Sequence, residues 1–516
     1  MKARWSENFT HIILDFDSQV ELEQIGFSFT KKERNFFFKD KKAKGSAKIV
    51  KFFDGRRIPS GLWQELLDIC KRFGFPLNFT NFNDIKIKID KEITENFFLK
   101  VEEKIKKPIR DEQKQMTLMS LQWRFSSGDL SVSVGKTLLL YLQAYLVKKL
   151  GITDKKILII FPKPGLVIQT YNTFVESNVD PDFTFVMLHG ESNKEKTDSY
   201  DCVLSNFQFL ANKPPEFFHQ FGAILVDESH RNTSSSIRNA IDYSINHTWR
   251  SGITGSIRSD KNNAEYYNFL VYSGPTIKVF KKRESIDKGY STDGKVIVFK
   301  LNYLKEEIRK QLYMLKYSLD GDKVLMQEEN IVRSSKLRLE WICKLAKKFE
   351  NKNILVFFKD VKGGYGKKIV NKLKETTENR TIFYVDENVP EDHRTHFKEE
   401  MELGSNHILV ASYATWSTGE SVDNLHVVIC AESIKDEILL SQAMGRPMRK
   451  HSTKDGEFFY WIDIVDDFSI DVENQKIGGK ETHRNYMLKW FGSRKTYYES
   501  EEFSIESHNI NLKNEF

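Results

Sequence analysis

The chain has 516 residues, room for roughly three domains at ~150 residues each and for several sizeable cores. Hydrophobic residues make up 40% and charged residues 29%, with 27 Gly and 11 Pro, which excludes collagen-like, mucin-like and broadly disordered chains. Its 79 basic and 72 acidic residues leave a mild net charge of +7, so affinity for a polyanion has to come from how the charge is distributed. The longest apolar runs, such as Ile157–Phe161, have the length of buried strands and fall short of the ~18 residues that a membrane span needs. Met1–Asn8 has no apolar core behind it, so the expectation is no secretory signal, no membrane partner and a cytoplasmic location. Cys70, Cys202, Cys343 and Cys430 lie far apart, without His at ligand spacing, and read as reduced thiols rather than disulfide or zinc ligands.

The N-terminal stretch Lys31–Arg57 holds eleven Lys or Arg against three acids, a local charge of +8 with Lys41, Lys42 and Lys44 at its centre. Phe36–Phe38 and Phe52–Phe53 interrupt it, a composition that neutralises phosphates and offers rings for stacking. The rings serve equally well as the core of a solvated basic hairpin. The alternation in His11–Phe16 predicts a strand and Gly61–Cys70 an amphipathic helix, so residues 1–100 are expected to form a small α+β nucleic-acid-binding domain. The charged stretch Lys91–Lys107 then links it to the rest.

Beyond residue 110, short β runs alternate with helical stretches: Ile157–Phe161, Ala223–Val226, Ile354–Phe358, His407–Ala411 and Val427–Cys430. This spacing predicts an α/β fold with parallel sheets covered on both faces, and chemistry on the loops at the carboxyl ends of the strands. Two such sheets are expected, over 101–285 and 286–470 with the break between Tyr272 and Lys305, followed by a helical tail over 471–516 that includes Arg484–Trp490.

Three motifs carry chemistry. Ser131–Thr137 ends in Gly135-Lys136-Thr137 and enters a helical run, which supplies a close-approach backbone, a lysine for the β/γ-phosphates, a hydroxyl for Mg²⁺ and a helix N-terminus. The first glycine of the usual phosphate loop would fall at Leu130, so this loop departs from the pattern. Phe221–His230 is a buried strand ending in two adjacent carboxylates, which are costly unless a cation or water uses them. Asp227 is assigned to Mg²⁺ and Glu228 to the attacking water, with His230 reporting toward Thr254–Ser256; a plain turn after a strand is the alternative. Leu440–Arg449 reads Gln-x-x-Gly-Arg-x-x-Arg, and on a helix this spacing places Arg446 and Arg449 on one face, able to reach one γ-phosphate.

Taken together and in this order, the motifs resemble those of superfamily 2 helicases. The resemblance implies two RecA-like lobes behind the small N-terminal domain, and ATP and Mg²⁺ as cofactors. It implies catalytic roles for Lys136, Asp227, Glu228, Gln442, Arg446 and Arg449, with Thr137 and Asp227 on the metal. Arg110–Gln113 resembles the adenine-reading motif, with Gln113 on the base and Arg110 supporting it; Ser133, Gly135 and Gly419 join the nucleotide contacts. Ile157–Lys163, Leu204–Gln208, Val356–Lys359 and Ser417–Val422 resemble the auxiliary motifs, which implies that Lys163, Gln208, Lys359 and Thr418 hold nucleic acid, while His230, Thr254 and Ser256 couple the two activities. Within the superfamily the chain is similar to the tailed-phage recombination helicases, through Lys51–Leu62, Phe217–Gly222, Ala411–Gly419 and the serine at Ser133. Ser421 departs from the wider superfamily, where many members carry an aspartate. That group implies branched substrates (forks, Holliday junctions, R-loops with their RNA–DNA hybrid), a monomer in the host cytoplasm, and single-strand-binding or recombination proteins as partners. A double-strand translocase without unwinding stays open, as does a non-catalytic scaffold, against which the set Lys136, Asp227, Glu228, Arg446 and Arg449 speaks.

Overall fold

The structure, a computed structural model, describes residues 1–32, 48–130, 134–189, 199–231, 234–255, 263–279, 282–318, 321–416, 422–454, 456–474 and 479–512. The chain forms two compact units, Met1–Phe280 and Lys281–Phe516.

The first unit opens with β1 (Lys2–Trp5), β2 (His11–Asp15), α1 (Gln19–Ser28), the strand pair β3 (Thr30–Lys32) and β4 (Ile49–Lys51), β5 (Arg57–Pro59), α2 (Trp63–Phe73) and β6 (Asn78–Phe79). The sheet order is β5-β2-β1-β6. Alternation along β1 and β2 turns Ala3, Trp5, Ile12 and Leu14 inward and leaves Lys2 and Arg4 outside. The β3–β4 pair is antiparallel and forms the base of the basic stretch. Lys41, Lys42, Lys44 and Phe36–Phe38 lie outside the described residues. Phe52 is buried as a core residue.

The elements that follow are α3 (Lys91–Ile105), α4 (Asp111–Gln122), β7 (Phe125–Asp129), α5 (Lys136–Lys149), β8 (Lys156–Phe161), α6 (Pro164–Ser177), β9 (Phe185–Leu188), β10 (Cys202–Asn206), α7 (Phe207–Leu210), β11 (Phe221–Asp227), α8 (Ser235–Tyr243), β12 (Trp249–Thr254), α9 (Ala264–Ser273) and β13 (Thr276–Lys278). Their seven-stranded sheet runs β13-β7-β12-β11-β8-β10-β9, with every pairing parallel. β8, β10 and β11 are buried on both faces, as the apolar runs of β8 and β11 require, and β10 buries Ser205 and Asn206 as well. The linker expected at Lys91–Lys107 is instead a helix: Asp90 caps it through Ile93 N–H, and Phe97, Phe98 and Val101 at helical spacing bury against the core of this sheet.

The N-terminal sheet shares a core with α9, whose Tyr266, Tyr267, Phe269 and Leu270 pack among Phe29, Phe52, Leu62 and Trp63. Trp63 stacks on Trp123 with centroids 5.2 Å apart. The approach is closest at Gly61, where a Cβ would stand 2.0 Å from the Leu270 carbonyl oxygen, so only glycine lets the two backbones meet.

The second unit contains α10 (Lys282–Asp287), β14 (Gly294–Tyr303), α11 (Glu306–Ser318), α12 (Gly321–Ser334), α13 (Lys336–Lys348), β15 (Ile354–Phe358), α14 (Tyr365–Thr376), β16 (Thr381–Val385), α15 (Glu391–Leu403), β17 (His407–Ser412), α16 (Tyr413–Trp416), β18 (Val427–Cys430), α17 (Glu437–Met444), β19 (Phe459–Asp467), the hairpin β20 (Ile470–Asn474) and β21 (Gly479–His483), α18 (Tyr486–Ser500) and β22 (Ser504–Leu512). The sheet order is β16-β17-β15-β18-β19-β14-β22, again parallel throughout. Each unit is thus a RecA-like α/β lobe. Residues 471–516, expected as a helical tail, hold one helix, but their last strand extends the sheet beside β14 through nine paired residues. No helix among the described residues is long and apolar enough to cross a membrane.

Gly61→Ala should lower unfolding stability by about 1–3 kcal/mol, the usual cost of forcing a methyl into a filled interface. Chemical denaturation followed by tryptophan fluorescence reads this, and an unchanged midpoint would mean that the N-terminal sheet does not pack on α9 in solution.

Candidate functional site

In the first unit the loop after β7 enters α5 through Gly135, whose φ of +77° suits glycine and which serves as the N-cap of the helix. Gln113 braces it: its Nε2 donates to Val134 O at 2.7 Å and Gly135 O at 3.3 Å, and its Oε1 accepts from Arg110 N–H at 3.0 Å. A side chain on Gly135 would strike that amide, with its Cβ 2.6 Å from Nε2. Gln113 therefore holds the loop backbone in this state, and reading a base would require exchanging one of these bonds. Ser133 lies outside the described residues, and Thr137 sits in the first turn of α5.

The carboxylates at the end of β11 face this loop. Lys136 Nζ lies 3.3 Å from Glu228 Oε1, and His230 Nδ1 lies 3.3 Å from Glu228 Oε2 and 2.9 Å from Thr254 Oγ1. Glu228 takes a left-handed backbone with φ of +53°, a conformation costly for a residue with a side chain. The turn is pinned by Ser229, fully buried and 2.9 Å from Ser127 Oγ, in a space that a Cβ on Gly252 would fill. Burial followed by the neighbouring Glu228 charge pushes Asp227 up to about 7. Burial would raise Glu228 as well, but Lys136 and His230 outweigh it and hold that carboxyl well below the usual range. The two acids are thus pushed in opposite directions, Asp227 toward its protonated form and Glu228 toward its ionised one. Glu228 Oε2 is buried, with His230 Nδ1 at 3.3 Å as its nearest cationic neighbour.

Sequence reasoning named Lys136, Asp227, Glu228, His230 and Thr254, and the structure gathers them; Ser256 lies outside the described residues. It did not name Ser127, Ser229 and Gly252, or Gly255, whose missing side chain leaves Lys136 Nζ 3.0 Å from where a Cβ would stand. The visible signal was the polar run Ser126-Ser127-Gly128 inside a buried strand.

Lys163 caps the N-terminus of α6 after β8, and Gln208, exposed on α7 after β10, accepts a hydrogen bond from Asn206 Nδ2 at 2.7 Å. In the second unit Lys359 follows β15; its Nζ pairs with Glu329 Oε1 at 2.6 Å and its backbone N–H donates to Glu432 Oε2 at 2.6 Å. Thr418 and Gly419 lie outside the described residues. Gln442 is on α17, but Arg446 and Arg449 are not on one helical face: the helix ends at Met444, and Gly445 and Pro447 turn the chain so that both arginines stand in consecutive turns. Arg446 is buried, and Arg449 pairs with Asp423 at 3.3 Å.

Residues 130–258 match the family described as type III restriction enzyme, res subunit, and residues 337–451 match the helicase conserved C-terminal domain. With two helicase domains in this order, the chain is similar to the superfamily 2 helicases, and those domains indicate an ATP-hydrolysing helicase. More particularly it is UvsW-like: it is 29% identical over 519 residues to the ATP-dependent DNA helicase UvsW of Enterobacteria phage T4, covering 98% of each chain. The crystal structure of T4 UvsW is matched at 25% identity with a TM-score of 0.47, over 99% of both chains. S. cerevisiae Dbp5, bound to RNA and ADP BeF3, shares the fold at 12% identity and a TM-score of 0.51, over 80% of this chain and 93% of that one.

The raised Asp227 carboxyl has a measurable consequence. Between its ordinary 3.8 and about 7, the unfolded chain has released a proton that the native site still holds, so stability relative to an amide falls as pH rises. Asp227→Asn should therefore gain melting temperature over the parent chain progressively from about pH 4 to pH 7, with a constant gap above that, in the absence of nucleotide. A gap independent of pH would show that Asp227 titrates normally.

Proposed function

We propose that this chain uses ATP hydrolysis to remodel branched DNA, including forks, four-way junctions and R-loops with their RNA–DNA hybrid. The observation that carries the chemical part is the Lys136–Glu228–His230–Thr254 constellation, with the Glu228 carboxylate held between Lys136 and His230 at 3.3 Å each. An acceptor in that position is suited to a water aimed at a γ-phosphate. The residues present also fit a divalent cation: the Thr137 hydroxyl and a carboxyl at Asp227 whose ionised form lacks a sufficient counter-charge. Mg²⁺ held there would neutralise the β- and γ-phosphate oxygens.

The chain's own groups do the rest. Gly135 and the first turn of α5 present backbone N–H groups to the phosphates, and Lys136 exchanges Glu228 for a phosphate oxygen. Glu228 is a weak base at its depressed pKa, so it orients the water first and takes its proton only as bond formation makes the water acidic. Arg446 and Arg449, with Gln442 of the same motif, are the groups suited to the charge that spreads over a transferring phosphoryl group. His230, bridging Glu228 and Thr254, transmits occupancy to the Thr254–Ser256 loop. Lys163, Gln208, Lys359 and Thr418 hold backbone phosphates without reading sequence, and Lys41, Lys42 and Lys44 add duplex affinity. The branched substrates are inferred from likeness to UvsW. The match to a restriction-enzyme motor subunit favours a second reading, translocation on duplex without strand separation.

ATPase rates measured with no nucleic acid, single strand, duplex and a four-way junction test this reading. The junction should stimulate most, and Lys136→Ala or Glu228→Gln should lower turnover by about 10²–10⁴-fold while leaving nucleic-acid affinity within about twofold. Loss of binding with unchanged hydrolysis would reverse the assignment. Equal stimulation by plain duplex, with no strand displaced, would favour the translocase.

A further inference from the structure

The second unit carries a basic surface groove, shallow and centred on a pit of only about 20 Å³, that none of the helicase motifs includes. Arg309 and Lys316 of α11, His483 and Arg484 behind β21, and Lys489 of α18 line it, together with Tyr313 and Tyr486. These basic groups come from two separate stretches of chain, 309–316 and 483–489, that converge only through the fold. One acid, Glu328, lines the same groove, and it is already committed: it is buried and accepts from Tyr486 N–H at 3.0 Å, Met487 N–H at 3.3 Å and Asn485 Nδ2 at 3.3 Å, capping the N-terminus of α18. Lys316, Arg484 and Lys489 are exposed. His483 senses the excess positive charge: burial, then Lys316 and Lys489, push its imidazole below its ordinary value. Lys316 Nζ stands 3.5 Å from His483 Nδ1, and the Tyr313 ring meets the imidazole edge-on at 5.1 Å.

The floor of the groove is rigid. Phe468 stacks on Tyr303 at 4.1 Å, and its backbone N–H donates to Asn485 Oδ1 at 3.1 Å. Its placement is informative as well. α11 follows the carboxyl end of β14, the hairpin follows the carboxyl end of β19, and Lys359 follows the carboxyl end of β15, all in one parallel sheet of local order β15-β18-β19-β14. At ~4.8 Å per strand, the groove and Lys359 lie on the order of 10–15 Å apart along one edge. A row of cations with interleaved aromatic rings along one edge suits a single strand, whose phosphates track the charge while its bases stack.

We propose that this groove holds the phosphate backbone of a single nucleic-acid strand, continuing the track that Lys359 begins. The proposal rests on the helicase reading above. It assigns binding roles to Lys316 and Arg484, with Lys489 beside them, none of which belongs to the nucleotide site.

The test uses the full chain with Lys316→Glu/Arg484→Glu, Lys316→Gln/Arg484→Gln and Lys359→Ala in parallel, and a fluorescent oligo-dT probe titrated across a salt series. Both double variants should bind roughly tenfold or more weakly at low salt, and the slope of log affinity against log salt should flatten by about 1.4, at ~0.7 for each phosphate no longer neutralised. Melting temperature and ATPase rate without nucleic acid should stay at the parent's values, while the probe concentration for half-maximal stimulation rises. An unchanged affinity and slope in the double variants, with Lys359→Ala weakened, would overturn the groove assignment and leave the helicase reading standing. An effect confined to the glutamate variant would assign it to repulsion and overturn it equally. A parent chain with neither probe binding nor stimulated ATPase would instead remove the helicase reading, and the groove with it.

Discussion

Asp227 and Glu228 are adjacent carboxylates at the end of a strand with six consecutive buried residues, and the first unit is organised around keeping them there. Two neighbouring acids leaving a low-dielectric core cannot both ionise cheaply. The chain resolves this by asymmetry. Glu228 turns into a left-handed conformation that brings it to Lys136 and His230, while Asp227 continues the strand direction without a comparable partner. The turn that makes this possible needs Ser229 inside, which needs the Ser127 hydroxyl opposite and no side chain at Gly252. A polar strand such as β7, Phe-Ser-Ser-Gly-Asp, thereby occupies an interior position that apolar patterning would never assign to it. Backbone strain on the order of 1–3 kcal/mol at a non-glycine residue persists only when its surroundings fix it from several sides, as they do here.

The second unit solves a different electrostatic problem on β19. Asp463 and Asp466, three residues apart, point to opposite faces of the sheet. Arg494 of α18 grips Asp463 through two bonds of 2.8 and 3.0 Å, joined by the Tyr498 hydroxyl; Arg338 of α13 grips Asp466 at 2.8 and 3.1 Å, joined by the Tyr303 hydroxyl. Both pairs are buried, so their net contribution to stability is small compared with the cost of losing one partner, about 3–5 kcal/mol. Their consequence is registry: one helix on each face is fixed against the same strand. α18 in turn carries the chain into β22, which explains why Ser504–Leu512 completes the sheet rather than trailing from it.

How far these features could be read beforehand follows from the kind of signal each one leaves. The buried parallel strands Ile157–Phe161, Ala223–Val226 and Ile354–Phe358 announce themselves as unbroken apolar runs, and Lys136, Asp227 and Glu228, singled out for phosphate chemistry, do lie together in the fold. The helix at Lys91–Ile105 was missed because its charged face outnumbers the few apolar residues that matter, Phe97, Phe98 and Val101. β22, Ser-Ile-Glu-Ser-His-Asn-Ile-Asn-Leu, is a polar edge strand whose place is decided by its neighbour β14, and such strands carry little signal of their own. The arginines after α17 were placed on a helix by their spacing alone, although Gly445 and Pro447 already contained the reason for the turn. The docking of the N-terminal sheet on α9 was invisible, since Gly61 matters only for what lies opposite it.

The carboxyl edge of the second sheet shows how such a lobe can be both firm and exchangeable. Glu432, buried behind β18, accepts from the backbone N–H groups of Lys359 and Asp360 and from Arg333 Nε at 2.8 Å, so the loop after β15 is fixed by charge-assisted bonds withdrawn from water. The Lys359 side chain itself is half exposed, and its pair with Glu329 belongs to the class worth at most about 1 kcal/mol. A phosphate can take the ammonium from Glu329 at little cost, and Glu329 keeps a partner in Arg333 at 3.1 Å when it does. The backbone that positions the lysine never has to move, because the interactions holding it are distinct from the one that is exchanged. In the role proposed for Lys359, a buried network would set the geometry and a surface pair the affinity.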